Sequence, residues 1–240
     1  MRPPALSVVI PAFNEAARLP RTLARLDAYL RVAHPDHEIL VVDDGSTDAT
    51  TAVARNAGLP TLSVIDYAPN RGKGHAVRRG MLAARGVRRL MTDADLSTPI
   101  EDIERLAKAL DGGADIAIGS RALKDSNVVL RQPWYREAMG RLFNVFVRLL
   151  VLPDLRDTQC GFKLFTAAAA EAAFTPAIQD GFSFDVETLY IARRRGLRIA
   201  EIGVTWRNDE ATHVGFRRGG KAFLDLVAIR ARGIRGRYRL

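Results

Sequence analysis

Two carboxylates one residue apart, Asp93 and Asp95, follow the short apolar run that ends at Thr92 and precede a helix start. Hard oxygen ligands at the end of a strand suit a divalent cation that keeps part of its water shell and grips a substrate diphosphate. If the chain stays extended through Ala94, the two-residue period of a strand sets both carboxylates on one side. Downstream, Thr98, Pro99 and Glu101 stand where an N-cap, a first helical proline and a capping-box acid belong. The plainer alternative is that both acids merely cap a turn, and the pair alone does not choose.

Two more clusters fall in comparable places. After the apolar run Glu38–Val42 comes Asp43-Asp44-Gly45-Ser46-Thr47-Asp48. Asp44 is suited to accept a hydrogen bond from a nucleobase imide or a ribose, while Asp43 or Asp48 equally suits capping of the next helix. Asn70-Arg71-Gly72-Lys73-Gly74 offers backbone N–H groups and a cation at a helix start, a good setting for the anionic groups of a nucleotide. A dinucleotide fingerprint fits less well, because Val77 stands where a third small residue is required, and a Walker loop is absent. His75 and His213 are single histidines, each more readily hydrogen-bonded or exposed than metal-ligating.

These clusters are spaced by a regular alternation of apolar runs and amphipathic stretches. Leu6–Ile10, Glu38–Val42, Thr61–Ile65, Arg89–Thr92 and Ala114–Ile118 read as strands. Glu15–Val32, the stretch up to Asn56, the one up to Arg85 and the one up to Leu110 read as helices. That rhythm predicts an α/β fold with a mostly parallel sheet flanked by helices, whose ligands sit beyond the C-terminal strand ends. After Gly119 the rhythm breaks. Arg131–Leu150 reads as a helix, Asp157–Lys163 as a loop, Thr166–Phe174 as a short Ala-rich helix and Gly181 to about Gly196 as another. Ile199–Trp206 reads as one strand, and Gly219–Leu240 as a basic helix or tail.

The 240 residues carry a net charge of +9, with a pI near 10.3 and a mean hydropathy of -0.05. The excess implies an anionic partner (nucleic acid, an anionic membrane or a phosphorylated substrate) or else simply solvated charge. One cysteine, Cys160, excludes an intramolecular disulfide framework and fits a reducing compartment. The N-terminus runs almost directly into a strand, without an apolar leader. The apolar run Leu142–Leu152 is interrupted by Asn144 and Arg148 and is too short to span a bilayer. A cytoplasmic protein, either free or peripheral on the cytoplasmic face of a membrane, is the expectation. A nucleic-acid partner is not expected, because the basic residues form no recognition helix and the strand ends carry acids. A sugar-phosphate nucleotidyltransferase would want a Gly-rich basic loop after the first strand, where this chain has Pro11-Ala12-Phe13-Asn14-Glu15.

Taken in order, Val9–Glu15, Val41–Asp48, Asn70–Gly74, Asp93–Asp95, Asp157–Lys163 and Phe184–Glu187 resemble the motifs of the family 2 glycosyltransferases with the GT-A fold. Within that family they are most similar to those of the polyprenyl-phosphate sugar synthases. The resemblance implies one GT-A domain over 1–240, with a nucleotide half to about 120, an acceptor half to about 215 and a basic C-terminal segment. It implies a nucleotide-sugar donor, a polyprenyl phosphate acceptor, an anionic membrane surface, and Mg²⁺ or Mn²⁺. By the same resemblance Pro11, Asn14, Glu15, Asp44 and Lys73 line the nucleotide site, Asp93 lies near ribose or metal, and Asp95 ligates metal. UDP-glucose is the expected donor, with GDP-mannose or a soluble hydroxyl acceptor as alternatives.

A hydroxyl acceptor needs a general base, for which Asp185 or Glu187 is available. A phosphate acceptor, with a second pKa near 6, is already largely anionic at neutral pH and needs cations more than a base. Arg121, Arg131 and Lys163 are the candidates for that phosphate, and Asp185 would then orient a basic residue or the sugar. Arg136–Leu150 reads either as a helix at an anionic interface or as a core helix. The apolar and arginine-rich stretch beyond Phe223 is a second candidate surface contact.

Overall fold

The structure is a computed structural model that describes residues 2–130, 134–207 and 217–238. Its centre is a seven-stranded sheet in the order β3-β2-β1-β4-β7-β5-β8. The strands are β1 (Leu6–Ala12), β2 (His37–Asp43), β3 (Leu62–Asp66), β4 (Arg88–Thr92), β5 (Ile116–Ser120), β7 (Phe162–Thr166) and β8 (Ile199–Gly203). β6 (Asn127–Leu130) pairs with β9 (Thr205–Arg207) in a separate two-stranded sheet. Helices α1 (Leu19–Ala33), α2 (Thr50–Arg55), α3 (Lys73–Ala83) and α4 (Ile103–Asp111) connect the first strands. Helices α5 (Trp134–Leu150), α6 (Ala167–Phe174), α7 (Phe184–Arg194) and α8 (Arg217–Ile234) belong to the second half.

β2 is buried along its whole length and β1 at all but Pro11, as expected where helices cover both sheet faces. Alternate side chains of β1 enter opposite layers. Val8 and Ile10 pack with Leu19, Leu23 and Leu26 of α1 and Leu106 of α4. Val9 packs with Val77 and Met81 of α3, in the layer that also holds α6 and α7. At the edge, β3 is only partly buried.

Most strand pairings are parallel, but β7 runs antiparallel between β4 and β5, with Met91 opposite Lys163 and Thr92 opposite Phe162. A parallel strand brings its C-terminal end to the ligand-binding rim; β7 brings its beginning there. The strand takes up residues that read in the sequence as the end of a loop through Lys163. Five residues wedged between a Gly-containing loop and an Ala-rich helix leave too little alternation to read. The single strand expected over Ile199–Trp206 is divided at Val204, because β9 leaves the main sheet to pair with β6.

The region after β4 also differs from expectation. β4 ends at Thr92, and Asp93–Leu96 forms a turn, with Leu96 N–H donating to the Asp93 carbonyl (3.2 Å) and Leu96 at φ 45°. The two carboxylates therefore approach through a turn, not through strand periodicity. No capping box forms either: Ile100–Asp102 is a 3₁₀ turn ahead of α4, without a side-chain cap. Thr98 is buried instead, its hydroxyl 3.9 Å from Cys160 Sγ.

Candidate active site

The loops after β1 and β2 are bound to each other by short polar side chains. Asn14 adopts φ 57°, a left-handed conformation that asparagine tolerates better than most residues. Its amide donates to Ser46 Oγ (2.9 Å), and its Oδ1 accepts from the Thr47 amide (2.8 Å). Glu15 N–H donates to Thr50 Oγ1 (2.8 Å), and the Glu15 carboxylate pairs with Arg18 (2.9 Å). Asp43 accepts from the Ser46 amide (2.9 Å) and the Thr51 hydroxyl. Asp48 accepts from the Thr50 amide (2.9 Å) and the Ala16 amide (3.1 Å). Burial raises the Asp48 pKa, but the Thr50 hydroxyl and these amides lower it further, and the net shift is down. Pro11 is half-buried just below, at the end of β1.

Asp44 has a different task. Its buried carboxylate accepts from Tyr67 Oη (2.9 Å), Asn70 Nδ2 (2.9 Å), Arg71 N (2.8 Å) and Gly72 N (2.8 Å). Four donors fill the usual capacity of a carboxylate. Asp44 thus shapes the Asn70–Gly74 loop, and a direct bond to a nucleoside would have to displace one of these donors. The loop's other side is backed by the chain near Asp180, whose carbonyl accepts from Gly74 N (2.8 Å). Gly72 at φ 109° and Gly74 permit that approach, since a Cβ on either would lie 2.4 Å from a backbone carbonyl oxygen.

The loop delivers Lys73 to the carboxylates beyond β4. Lys73 Nζ is 2.7 Å from Asp93 Oδ1, and both side chains remain partly open, at 25% and 31% exposure. That ion pair apart, Asp93 Oδ1 takes no hydrogen bond. Asp95 Oδ1 accepts from Ser97 N (2.9 Å). Burial, and then the charge of Asp93, push the Asp95 pKa up. Burial lowers the Lys73 pKa, but Asp93, Asp185 and Asp95 outweigh it, and the ammonium is held above its ordinary value. Hard oxygens, one of them bound only by the Lys73 ammonium, fit a divalent cation. Among the described residues no third His, Cys, Asp or Glu joins them, so a diphosphate and water would have to complete the coordination.

Beneath this open layer lies a closed one. Lys163 is 1% exposed; its ammonium donates to Asp185 Oδ1 and to the Cys160 carbonyl (2.6 Å). Burial raises the Asp185 pKa, Lys163 and Lys73 lower it, and the net shift is upward. Lys163, expected from sequence to meet an acceptor phosphate, is instead an internal partner of Asp185. The adjoining Gly161 packs directly on Asp93: a Cβ there would lie 2.0 Å from Asp93 Oδ2.

Arg121, also expected at the acceptor phosphate, is committed to Asp157 through Nε (2.7 Å) and Nη2 (2.9 Å), and it stacks over Trp206 at 5.4 Å. Burial raises the Asp157 pKa, but the guanidinium more than reverses this, and Asp157 is held below the usual carboxylate range. Glu187 is wholly buried, accepting from Ile178 N (2.8 Å), Gln179 N (2.7 Å) and Tyr238 Oη (2.8 Å). It fixes the segment that backs Gly74, so of the two acids considered as bases it is a scaffold. His75 packs edge-on against Tyr67 with Nδ1 3.1 Å from Arg78 Nη2. Arg131 and His213 lie outside the described residues. The supports missed from sequence are Gly161, Asp157 and Asp180; the first two sit in a quoted motif, but nothing in their spacing reveals what they touch.

This arrangement places a lysine and two carboxylates where a sheet of this kind binds ligands, and comparison with known proteins identifies the family. A family model described as Glycosyl transferase family 2 matches residues 7–174. The chain belongs to glycosyl transferase family 2. It is 38% identical to the dolichyl-phosphate beta-glucosyltransferase of Homo sapiens, with 98% of this chain and 78% of that one covered. The protein of the same name from Saccharomyces cerevisiae is 34% identical, with 98% and 76% covered. Among solved structures, mannosyl-3-phosphoglycerate synthase from Rubrobacter xylanophilus superimposes with a TM-score of 0.68 at 22% identity, covering 99% of this chain and 76% of that one. Glucosyl-3-phosphoglycerate synthase from Mycobacterium tuberculosis, solved with Mn²⁺ and UDP-glucose, gives 0.65 at 20% identity, covering 94% and 77%. These two likenesses show the GT-A fold.

Proposed function

We propose that this glycosyltransferase moves glucose from UDP-glucose to a polyprenyl phosphate with inversion at the anomeric carbon, using Mg²⁺ or Mn²⁺. The observation that carries the reading is the open group of Lys73, Asp93 and Asp95 above the closed Lys163–Asp185 pair. Asp93 and Asp95 would hold the cation, and Lys73 would meet the diphosphate from the Asn70–Gly74 loop. When bound, a divalent cation neutralises charge developing on the departing diphosphate.

The acceptor phosphate oxygen forms the new bond to the anomeric carbon, and the bond from that carbon to UDP breaks, with UDP keeping the electron pair. An ionised phosphate needs no base to remove a proton. That agrees with Asp185, which is 5% exposed and paired with Lys163: it orients its surroundings and is not required to accept a proton. Asn14 and Glu15 join the donor side through the loops they hold, and Arg121 borders the acceptor side beside Trp206. Arg131 is retained as an acceptor-phosphate candidate from sequence.

The names of the dolichyl-phosphate relatives support the donor sugar and the acceptor class. The test supplies radiolabelled UDP-glucose or GDP-mannose with detergent-dispersed polyprenyl phosphate or free sugars, and measures label in the lipid phase. Lipid-linked glucose, lost by about 100-fold or more in Asp95→Asn with an unchanged circular dichroism spectrum, is the expected result. Near-normal turnover in that variant, or transfer only to free sugars, overturns the reading.

A further inference from the structure

Helices α5 and α8 pack on each other through Phe143, Phe146 and Phe223, whose rings meet edge-to-face at 5.5 and 5.2 Å. Each helix buries one narrow stripe: Phe143 and Val147 on α5, Leu226 and Ile229 on α8. Outside those stripes the exposed positions are unusually apolar. On α5, Leu142, Val145, Phe146, Leu149 and Leu150 are exposed. At about 100° per residue they share one arc of about 140°, with Arg141 and Arg148 together along its border. On α8, Leu224, Val227 and Ile234 form a second exposed stripe, with Leu224 at 72% and Val227 at 58%. Arg230 and Arg235 flank it.

The charge on this double face has one sign. Over 138–150 and 222–238 the chain carries six arginines, of which Arg232 turns inward to 3.9 Å from the buried Glu187, and a single acid, Asp225. That acid is occupied, accepting from Ser183 Oγ at 2.9 Å. Apolar stripes bordered by arginines are the makeup of a helix pair lying in the headgroup region of an anionic bilayer. In α5 the stretch read as either an interface or a core helix is a core helix on one side only. Among the described residues no helix is long and apolar enough to cross a membrane.

The pair is also joined to the catalytic cleft. Ser183, which binds Asp225 of α8, immediately precedes α7 and stands two residues before Asp185. Tyr238, just past α8, donates to Glu187 at 2.8 Å. We propose that α5 and α8 form a docking face for an anionic lipid bilayer, holding the cleft against the surface in which a lipid phosphate acceptor would lie. The inference rests on the polyprenyl-phosphate reading for its purpose, and on the two stripes and their arginines for its chemistry.

Sedimentation with phosphatidylcholine vesicles, with and without phosphatidylglycerol, tests it directly. The full chain should sediment with the anionic vesicles and be released by salt. Leu149→Glu and Val227→Glu, at exposed positions, should each weaken that binding by about tenfold. UDP-glucose with Mn²⁺ should raise Tm equally in wild type and variants, and should do so whether or not vesicles bind; its failure would speak against the donor site, not the docking face. Equal affinity for purely zwitterionic vesicles, undiminished binding by both variants, or a wild-type dimer in light scattering that these substitutions dissolve would each overturn the proposal.

Discussion

Two sets of carboxylates, on the proposed donor and acceptor sides of the site, are held by opposite chemistry. On the donor side, Asp43, Asp44 and Asp48 are bound mainly by neutral amides and hydroxyls of neighbouring loops. On the acceptor side, Asp157 and Asp185 are each bound to a cation, Arg121 and Lys163. Amide donors fix a loop at many points, and losing one costs little beyond itself. A buried ion pair concentrates the dependence in one contact, and removing one member strands the other in a medium that cannot solvate it. The donor side should therefore fail gradually, and the acceptor side abruptly.

The sharpest departure is expected where the halves touch. Gly161→Ala sets a methyl 2.0 Å from Asp93 Oδ2 and must move that carboxylate. Transfer should fall by about 100-fold, with a smaller loss in thermal stability, measurable by comparing kcat/KM with Tm. Next, Arg121→Met should cost about 3–5 kcal/mol in urea unfolding by leaving Asp157 buried and unpaired. The double variant Arg121→Met with Asp157→Asn should recover much of it; no recovery would show that Trp206 stacking dominates.

Asp44→Asn is expected to be milder, about 1–3 kcal/mol, because an amide keeps one acceptor oxygen for the Asn70–Gly72 loop. Its mark should be weaker UDP-glucose binding by calorimetry with kcat changed less than KM. The smallest effect concerns Glu38, which lies far from the cleft. Burial raises its pKa, but Ser7 and Arg85 reverse this, and the net shift is downward. A folded pKa below the unfolded one contributes stability above the unfolded value and loses it as pH falls through the folded value. Glu38→Gln should thus lower Tm at neutral pH and flatten its decline on acidification below the ordinary carboxylate range.

This contrast also explains what could be read from the chain alone. β1, β2, β4 and their following helices are legible because buried parallel strands are continuous apolar runs and helices repeat every three to four residues. Asp93, Asp95 and Lys73 stand out because polar residues at strand ends break those runs. β7 does not, since Phe162–Thr166 is short and contains a lysine that becomes interior only through Asp185, twenty-two positions later. Likewise, spacing gives Arg121, Lys163 and Glu187 the look of available charges. Their partners are set by sheet order, which brings β7 between β4 and β5, and by helix packing that the sequence does not display.

The backward course of β7 has a mechanical consequence. Because the strand enters the sheet at the ligand rim, the three residues from Cys160 to Phe162 form a short bridge between Asp93 on one side and the Lys163 anchor on the other. Lengthening the chain there by a single residue would throw Lys163 to the opposite face of the sheet and pull the backbone off Asp93 in the same stroke. The preceding segment, where Arg121 grips Asp157, leads straight into that bridge.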